Sequence, residues 1–481
     1  MRFFKTKTIL LCLIFFAAVP SHGKITLPPV IGNNMVLQQQ TSAALFGKAK
    51  PGSRVKIHTS WNGKTVSTSA DPQSGKWLAY VQTPAAGGPY DITISDGEKL
   101  SLHDVLIGEV WLASGQSNME MPMKGYVSLP VKDGVRNMLS AKPSRPLRIC
   151  NIQRNFASAP AGSCGGKWKK NEPGTVAWTS ATAYFFADVL QETLDIPVGI
   201  IVSSWGGSKI ETWLKREVFE NNYPDVNLKH LDNKTTVEHP TLEPAMLYNG
   251  QIAPLIPYTI KGIIWYQGEQ NIREPDRYVN YLQSYAAMMR SDFRSPDASL
   301  YVVQIAPYFY EDAPENAVGY FCEAQQKALR QIPHSGYVTT TDIGVYGNIH
   351  PPYKREVGER LAWLALYNDY GFKIIEALAP TYKSVEFKEG EAYITMNVSE
   401  NGLSPVNSQI SGFEIAGKDR RFVPAEARLL DGKKNVVRVW SDDIPEPVAV
   451  RYCWRNWSVG GLFNNSGIPA GPFRTDDWPQ E

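Results

Sequence analysis

The stretch that decides the fold is Gly108-Glu-Val-Trp-Leu-Ala-Ser-Gly-Gln-Ser-Asn-Met-Glu120. Its apolar part, which runs from Val105 to Ala113, is short and nearly continuous, as in a strand buried on both faces. Gly115 permits a tight turn after this strand, and the turn exposes the Ser117 hydroxyl at the start of the next segment. A serine at such a place is also a common turn residue or helix cap. The stretch therefore predicts a buried strand followed by a candidate nucleophile.

Further apolar runs indicate that this strand belongs to a larger sheet: Val198 to Ser204, Ile260 to Tyr266, Tyr301 to Ile305 and Tyr337 to Thr341. Helical patterns separate these runs. One follows the candidate cap Ser180, and another repeats apolar side chains at helical spacing, namely Tyr278, Leu282, Tyr285 and Met289. Strands that alternate with helices predict an α/β fold, in which a central parallel sheet carries helices on both faces.

Short alternating strands and turn clusters flank this central part on both sides. We predict an N-terminal β domain over residues 24–103, an α/β domain over 104–370 and a C-terminal β domain over 371–481, with both flanking domains β-sandwich-like. The length agrees, because 481 residues correspond to two to four domains at roughly 150 residues each.

Residues 1–23 are typical of an export signal. Basic residues precede an apolar run from Ile9 to Val19, which is too short to span a bilayer as a helix. Small residues at Ser21 and Gly23 fit a cleavage site. No other segment is apolar enough to cross a membrane. We therefore expect an exported protein, periplasmic or extracellular after removal of the signal.

The composition argues against two classes of protein. The 49 basic residues face 47 acidic ones without long runs of either sign, so the charge pattern of a nucleic-acid binder is missing. The cysteines form no CxxC pair and no Cys/His cluster, so we expect no structural metal site. Cys150 and Cys164 are either a disulfide pair in an oxidising compartment or separate thiols. The oligomeric state is left open.

Polar turns follow the predicted strands and should meet at one edge of the sheet. They are Gly115-Gln-Ser-Asn-Met119, Trp205-Gly-Gly-Ser208, Gln267-Gly-Glu-Gln-Asn271 and Asn348-Ile-His-Pro351. In an open parallel sheet, the loops at the carboxyl ends of the strands form the ligand crevice. Together these turns supply a hydroxyl, backbone amides, a side-chain amide and an imidazole. Acyl transfer needs this set of groups.

Each of these groups has a possible chemical role and an ordinary structural one. His350 lies in a polar loop, where a neutral imidazole can take the Ser117 proton and return it to the leaving alcohol. Gly206 and Gly207 either leave backbone N–H groups open to an oxyanion or simply supply a positive φ. Gln267 is either an oxyanion donor or a strand-end amide that satisfies the backbone.

Longer motifs around these residues resemble those of the sialate O-acetylesterase family of SGNH hydrolases. They run from 108 to 120, 204 to 213, 265 to 271 and 349 to 362, and they are joined by Leu247-Tyr-Asn-Gly250 and by residues 464–476. The resemblance implies an SGNH-type central sheet, with Ser117 as nucleophile and His350 as base. It implies oxyanion donors at the backbone N–H of Ser117, at Gly206 or Gly207 and at the Gln267 side chain. It implies no metal or organic cofactor.

The partner of the histidine is the open position. Many SGNH hydrolases carry an aspartate three residues before the histidine, where this chain has Gly347. Asp342 matches an aspartate often found in the family and is the first candidate. Glu269 is the second. A backbone carbonyl on the imidazole, which would give a Ser-His dyad, is the third.

The resemblance implies a serine esterase that removes O-acetyl groups from carbohydrates, with sialic acids as the first substrate, and the signal pattern of residues 1–23 adds that it is exported. Acetylated xylan or another plant glycan is the alternative substrate. A glycan-binding protein without activity is the rival reading, favoured by the missing aspartate and by the many aromatic residues. The intact Ser117, Gln267 and His350 favour the enzyme.

Overall fold

The structure is a computed structural model, and it describes residues 25–232 and 237–480. The export signal predicted for residues 1–23 lies outside the described residues. The N-terminal part contains the strands β1 to β7: Val36–Gln38, Ser42–Lys48, Arg54–Thr59, Thr65–Ser69, Lys76–Gln82, Gly87–Ser95 and Lys99–Gly115. The central part adds β8 to β13: Leu147–Asn151, Trp168–Lys170, Val198–Ser204, Gly262–Tyr266, Ser299–Val303 and Ser335–Val338.

The C-terminal part contains β14 to β23: Thr381–Lys388, Glu391–Asn397, Leu403–Ser404, Phe413–Ala416, Phe422–Pro424, Glu426–Leu429, Val436–Trp440, Ala449–Tyr452, Phe463–Asn464 and Phe473–Arg474. The helices α1 to α9 span Ser117–Glu120, Gly134–Ser140, Pro173–Val176, Ala181–Leu194, Arg216–Asn222, Lys229–Asp232, Pro275–Asp292, Ala317–Leu329 and Lys354–Asp369. Short 3₁₀ turns cover Ile210–Trp213, Ala253–Leu255 and Glu269–Asn271, and a π-helix covers Tyr248–Ile252.

The central sheet has the strand order β13-β12-β11-β7-β10-β8-β9. Its neighbouring strands are parallel except at one edge, where β9 runs antiparallel to β8. The α/β fold is therefore confirmed as a mixed sheet, and the antiparallel edge strand was not predicted. The strands expected from the apolar runs are all present, with ends shifted by at most a few residues except at the start of β7.

Helices cover both faces of this sheet. Successive residues of a strand point to opposite faces, so alternate residues of β7 pack against different helices. Val110 and Leu112 of β7 share one core with α7 and α8. Trp111 and Ala113 share the other core with α4 and α9. The predicted cap is confirmed, since Ser180 Oγ accepts the backbone N–H of Ala183 at 3.0 Å at the start of α4.

Strand β7 joins the N-terminal part to the central sheet. Its first half pairs with β6 and β1, and its second half lies between β10 and β11. The boundary predicted between residues 103 and 104 therefore falls inside one 17-residue strand. The first half of β7 alternates between exposed and buried residues, and its second half is fully buried. The two halves therefore differ in sequence pattern, although the backbone is continuous.

The C-terminal part consists of two four-stranded antiparallel sheets and a short two-stranded one. Ile394 from one large sheet and Val450 from the other pack in the same hydrophobic core. Cys150 and Cys164 are free thiols in the structure, so the disulfide alternative is not realised there. Cys150 is buried in β8, and its Sγ points toward Pro29 O at 3.8 Å.

Candidate active site

The first turn of the site places Ser117 directly after the central strand. Gly115 ends β7 with φ 138°, and a Cβ there would lie 2.1 Å from Tyr266 O of the neighbouring strand, so only glycine fits. The Gln116 N–H donates to the same Tyr266 oxygen at 3.0 Å. Ser117 then starts α1 at the carboxyl edge of the sheet and is half-buried.

The glycine turn after β10 meets this serine. A Cβ on Gly206 would lie 3.2 Å from Ser117 Cβ, which makes the two backbones close neighbours. The Gly206 N–H donates to Glu120 Oε2 at 2.9 Å, so this amide already has an anionic acceptor. Gly207 has φ 68°, is exposed and has open space beside its Cα. The Gly206 amide is thus engaged, whereas the Gly207 N–H makes no hydrogen bond among residues 25–232 and 237–480.

Gln267 has a different arrangement from the one expected of an oxyanion donor. The side chain is fully buried after β11. Its Nε2 donates to Ser208 O at 3.0 Å and to Asn271 Oδ1 at 2.7 Å. Both amide hydrogens are thus committed to neighbouring residues in this structure. The contact with Ser208 holds the end of the Gly206–Gly207 turn, which connects Gln267 to the site through the backbone.

His350 reaches the serine through an aromatic neighbour. The Tyr126 ring packs edge-on against the imidazole with centroids 5.4 Å apart, and the Tyr126 hydroxyl donates to Ser117 O at 3.2 Å. Asn348 Oδ1 accepts the backbone N–H of His350 at 2.8 Å and orders the loop. Burial, assisted by the charge of Lys354 and opposed by Glu120, lowers the pKa of His350 to about 4. The imidazole is therefore neutral near pH 7, as a general base must be.

Neither candidate acid pairs with the imidazole. Asp342, the first candidate, forms a bidentate ion pair with Arg360 at 2.6 and 2.8 Å. The planar guanidinium fork matches both carboxylate oxygens, which directs Asp342 to α9 and away from His350. Glu269, the second candidate, is buried and accepts the Asn118 Nδ2 hydrogen at 2.5 Å.

A buried polar network, absent from the sequence-based set of site residues, connects the catalytic loops. Asn118 Nδ2 also donates to Ile349 O at 3.0 Å, and Lys354 Nζ donates to Asn118 Oδ1 at 2.5 Å. Asn118 follows Ser117, and Ile349 precedes His350, so one amide bridges the two loops. Burial lowers the pKa of Lys354 to about 7 and raises that of Glu269 above its usual range.

Glu120 is the second group that the sequence reading missed. Arg154 donates to both of its carboxylate oxygens, at 2.6 and 2.7 Å. Asn118, Glu120 and Lys354 all stand inside the motifs that carried the family resemblance. Their positions in those motifs could have identified them as site residues. The motifs do not reveal their hydrogen-bond partners, which lie far away in sequence.

The assembled groups suit nucleophilic acyl transfer. A half-buried hydroxyl, a neutral imidazole and an open glycine amide lie at the carboxyl edge of one sheet. Among residues 25–232 and 237–480, no group of three or more His, Cys, Asp or Glu side chains is arranged to hold a metal ion. Within the same ranges, no helix is long and apolar enough to cross a membrane.

Comparisons with known proteins show the family to which the chain is related. A family model described as "carbohydrate esterase, sialic acid-specific acetylesterase" matches residues 107–366. The sialate O-acetylesterases of Pongo abelii and Homo sapiens are 26% and 25% identical to the chain, and each alignment covers 92% of it and 91% of the relative. A solved carbohydrate acetylesterase from Xanthomonas citri is 32% identical, with a TM-score of 0.83 over 95% of this chain and 100% of its own. The family match contains Ser117, Gly206 and His350.

Proposed function

Because the chain belongs to the family of sialic acid-specific carbohydrate acetylesterases, we propose that it hydrolyses O-acetyl esters of sugars, with sialic acids as the first substrate. It is an esterase by family, and the proposal concerns its substrate and its mechanism. The observation that carries the proposal is that Tyr126 contacts both the His350 ring and Ser117 O, while Gly206 lies against Ser117. Three segments far apart in sequence thus supply a hydroxyl, a glycine turn and an imidazole, which are the groups that ester hydrolysis requires.

In the proposed reaction, Ser117 Oγ attacks the acetyl carbonyl carbon while His350 takes the hydroxyl proton. The negative charge on the carbonyl oxygen is held by the backbone N–H groups of Ser117 and Gly207. The tetrahedral intermediate then expels the sugar alkoxide, which receives the proton from His350. Water, deprotonated by the same imidazole, attacks the acetyl-serine carbonyl carbon. The second tetrahedral intermediate expels Ser117 Oγ, which takes the proton back from His350, and acetic acid leaves. Gln267 acts in this scheme as a positioning residue that fixes the Gly206–Gly207 turn through Ser208 O.

We infer that His350 works without a carboxylate partner, as part of a Ser-His dyad. The ion pair between Asp342 and Arg360 and the bond between Glu269 and Asn118 support this assignment, because each carboxylate is already engaged. A triad is defined by roles and geometry, so a fixed backbone and packing can orient an imidazole instead. Here Tyr126 and Asn348 supply that support.

Replacement of Ser117 by alanine tests the mechanism. The variant removes one half-buried hydroxyl, so we expect a normal fold and a loss of at least about 10³-fold in acetate release from O-acetylated N-acetylneuraminic acid. Ser384→Ala, on an exposed position of β14, serves as the matched control and should keep full activity. A folded Ser117→Ala protein that turns over near the wild-type rate would exclude this residue as nucleophile.

The proposal also includes a second candidate substrate and a location for the protein, and each has its own support. The Xanthomonas citri relative is described as a carbohydrate acetylesterase, a name that is not limited to sialic acids. Acetylated xylan or another plant glycan is therefore our second candidate substrate. Export rests on the basic and apolar pattern of residues 1–23.

A further inference from the structure

The motif Leu247-Tyr-Asn-Gly250 has no place in the mechanism above, yet it holds a loop beside the proposed active site. Its residues begin a π-helix, Tyr248–Ile252, a rare element that often marks functional sites. Asn249 Nδ2 donates to Ala157 O at 3.1 Å, and Asn249 O accepts the N–H of Ala161 at 2.8 Å. The π-helix therefore anchors the loop 154–161.

Gly250 lets this loop lie directly on the π-helix. A Cβ at Gly250 would stand 2.4 Å from Asn155 O and 2.5 Å from Phe156 Cα, which a side chain cannot do. Asn155 Nδ2 donates to Gly250 O at 3.0 Å and fixes the register of the contact. The loop is thus held in one position, which places Arg154 and Phe156 with defined geometry.

Arg154 connects this loop to the nucleophile. Its guanidinium binds Glu120, and Glu120 accepts the N–H of Gly206, whose Cα lies against Ser117. The guanidinium also lies over the Trp205 ring at 5.4 Å, and Trp205 directly precedes Gly206. One short chain of contacts therefore leads from the loop to the reacting serine.

Two aromatic rings border this chain of contacts. Phe156 and Trp205 have centroids 6.2 Å apart and planes at 59° to each other, so the rings form an open angle. Phe156 is 42% exposed, although phenylalanine is normally buried in a folded protein. Exposed aromatic surface beside a polar cluster is typical of a binding site.

We propose that Phe156, Trp205 and Arg154 form the subsite for the sugar ring that carries the acetyl ester. The C–H face of a pyranose ring is apolar and flat enough to lie on an aromatic ring, while its hydroxyls need polar partners. Arg154 uses Nε and Nη2 for Glu120, and Nη1 makes no hydrogen bond within residues 25–232 and 237–480. That nitrogen can donate to a ring oxygen or hydroxyl. The inference rests on the proposed function and adds to it the residues that select a sugar ester over a simple one.

The test compares two esters with the same acetyl group. Tetra-O-acetyl-xylopyranose carries a sugar ring, whereas ethyl acetate has neither a sugar nor an aromatic leaving group that would occupy the subsite. Acetate release gives kcat/KM for each ester, and the measured quantity is their ratio. Any inactive or misfolded fraction of a variant cancels in this ratio, so the result does not depend on folding yield.

Phe156→Ala should lower the ratio of sugar ester to ethyl acetate by about tenfold, mainly through KM for the sugar ester, as expected for the loss of one aromatic contact. Phe156→Leu keeps the apolar volume but has no flat face, so its ratio should fall as far. Phe156→Tyr keeps the flat ring and should retain the wild-type ratio. Tyr80→Ala is the control. Tyr80 is an aromatic residue of similar exposure, 37%, and it lies near Lys261, which directly precedes β11, whereas the site lies at the carboxyl ends of the strands.

The outcomes separate the subsite from the enzyme activity. If the wild-type protein releases acetate from neither ester nor from O-acetylated N-acetylneuraminic acid, the proposed function fails. If it acts on the sialic acid ester but not on the xylose ester, the ratio to ethyl acetate is measured with the sialic acid ester. If it hydrolyses both and the ratio is the same in Phe156→Ala as in the wild type, the subsite is wrong and the activity stands. An equal fall in Tyr80→Ala would also overturn the subsite, because the effect would then not be local.

Discussion

At the residue scale, we expect the surroundings of His350, the proposed general base, to set the pH range of the activity. A base must be neutral to take the serine proton, and the pKa of His350 is lowered to about 4 by burial, with a smaller contribution from Lys354. We therefore expect kcat/KM to rise as pH increases through about 4 and to stay level toward neutrality. A pH profile of wild-type hydrolysis whose acid limb lies near 6.5 would contradict this assignment.

Lys354→Met tests the electrostatic part of that shift. Removal of the buried positive charge should raise the pKa of His350, so the acid limb of kcat/KM should move to higher pH. It should remain below the ordinary histidine value, because the burial of the ring is unchanged. Lys132→Met is the control: Lys132 is 53% exposed and pairs with Glu356 at the surface, where solvent screens its charge. Equal shifts in both variants would mean that Lys354 has no special role.

Asp342 should matter for stability and little for catalysis. Its pairing with Arg360 is largely shielded from solvent, with the two side chains 18% and 7% exposed. Asp342→Asn leaves the arginine without its counter-charge, and we expect the free energy of unfolding to fall by about 3 kcal/mol. Urea denaturation measures this loss, with the exposed Asp477→Asn as the control. A loss of activity of 10²-fold or more in the folded variant would restore Asp342 as the partner of His350.

At the element scale, Asn118 holds α1, the loop after β11 and the loop before α9 in one arrangement. Asn118→Ala breaks the bridge to Ile349 O and leaves Glu269 and Lys354 without their shared partner. Because displacements of about 1 Å at a reacting centre cost about 10²-fold, we expect kcat to fall by that factor with little change in KM.

The matched control for this variant is Asn456→Ala. Asn456 is also a buried bridging amide, since it donates to Pro314 O and accepts the Val318 N–H, but its partners lie outside the site. It should lower thermal stability and leave kcat unchanged. If Asn118→Ala lost only stability as well, its role would be structural and the bridge would not position the catalytic loops.

At the scale of the whole molecule, the C-terminal part supports the loop that leads to His350. The hydroxyls of Thr339 and Thr341 donate to Pro469 O and Ala470 O at 2.7 and 2.8 Å, and the Gly460 N–H donates to Thr341 O at 3.1 Å. At the other end, β7 runs without interruption from the N-terminal part into the central sheet. A continuous strand therefore joins the N-terminal part to the central part, and buried hydrogen bonds join the central part to the C-terminal part.

This continuity predicts a single thermal transition, although chains of this length often unfold in several steps. Differential scanning calorimetry should give one peak whose calorimetric and van't Hoff enthalpies agree. Asn456→Ala should move that peak to lower temperature as a whole. A separate early transition for the C-terminal part would show that its contacts with the Thr339–Thr341 segment are too weak to couple the two.

Much of the fold and some of the site could be predicted from the sequence. Buried strands such as Val198–Ser204 are readable because they need continuous apolar residues, and Ser180 is readable as a cap because its hydroxyl acts on its own helix. The meeting of Ser117 and Gly206 followed from topology alone, since the carboxyl ends of parallel strands share one edge.

The sequence by itself determined five strands of the central sheet, β7 and β10 to β13, the helical pattern between them and the edge of the sheet at which the turns gather. Only the tertiary structure decided which polar groups pair within that meeting. Asp342 binds Arg360, Gln267 binds Ser208 and Asn271, and Lys354 is buried against Asn118. Apolar periodicity extends over many residues and survives small shifts of the backbone, whereas a hydrogen bond depends on distances of about 3 Å between segments that the chain brings together from far apart. For that reason the edge of the sheet was predictable, and the pairing of Asp342 with Arg360 and of Glu269 with Asn118 was not.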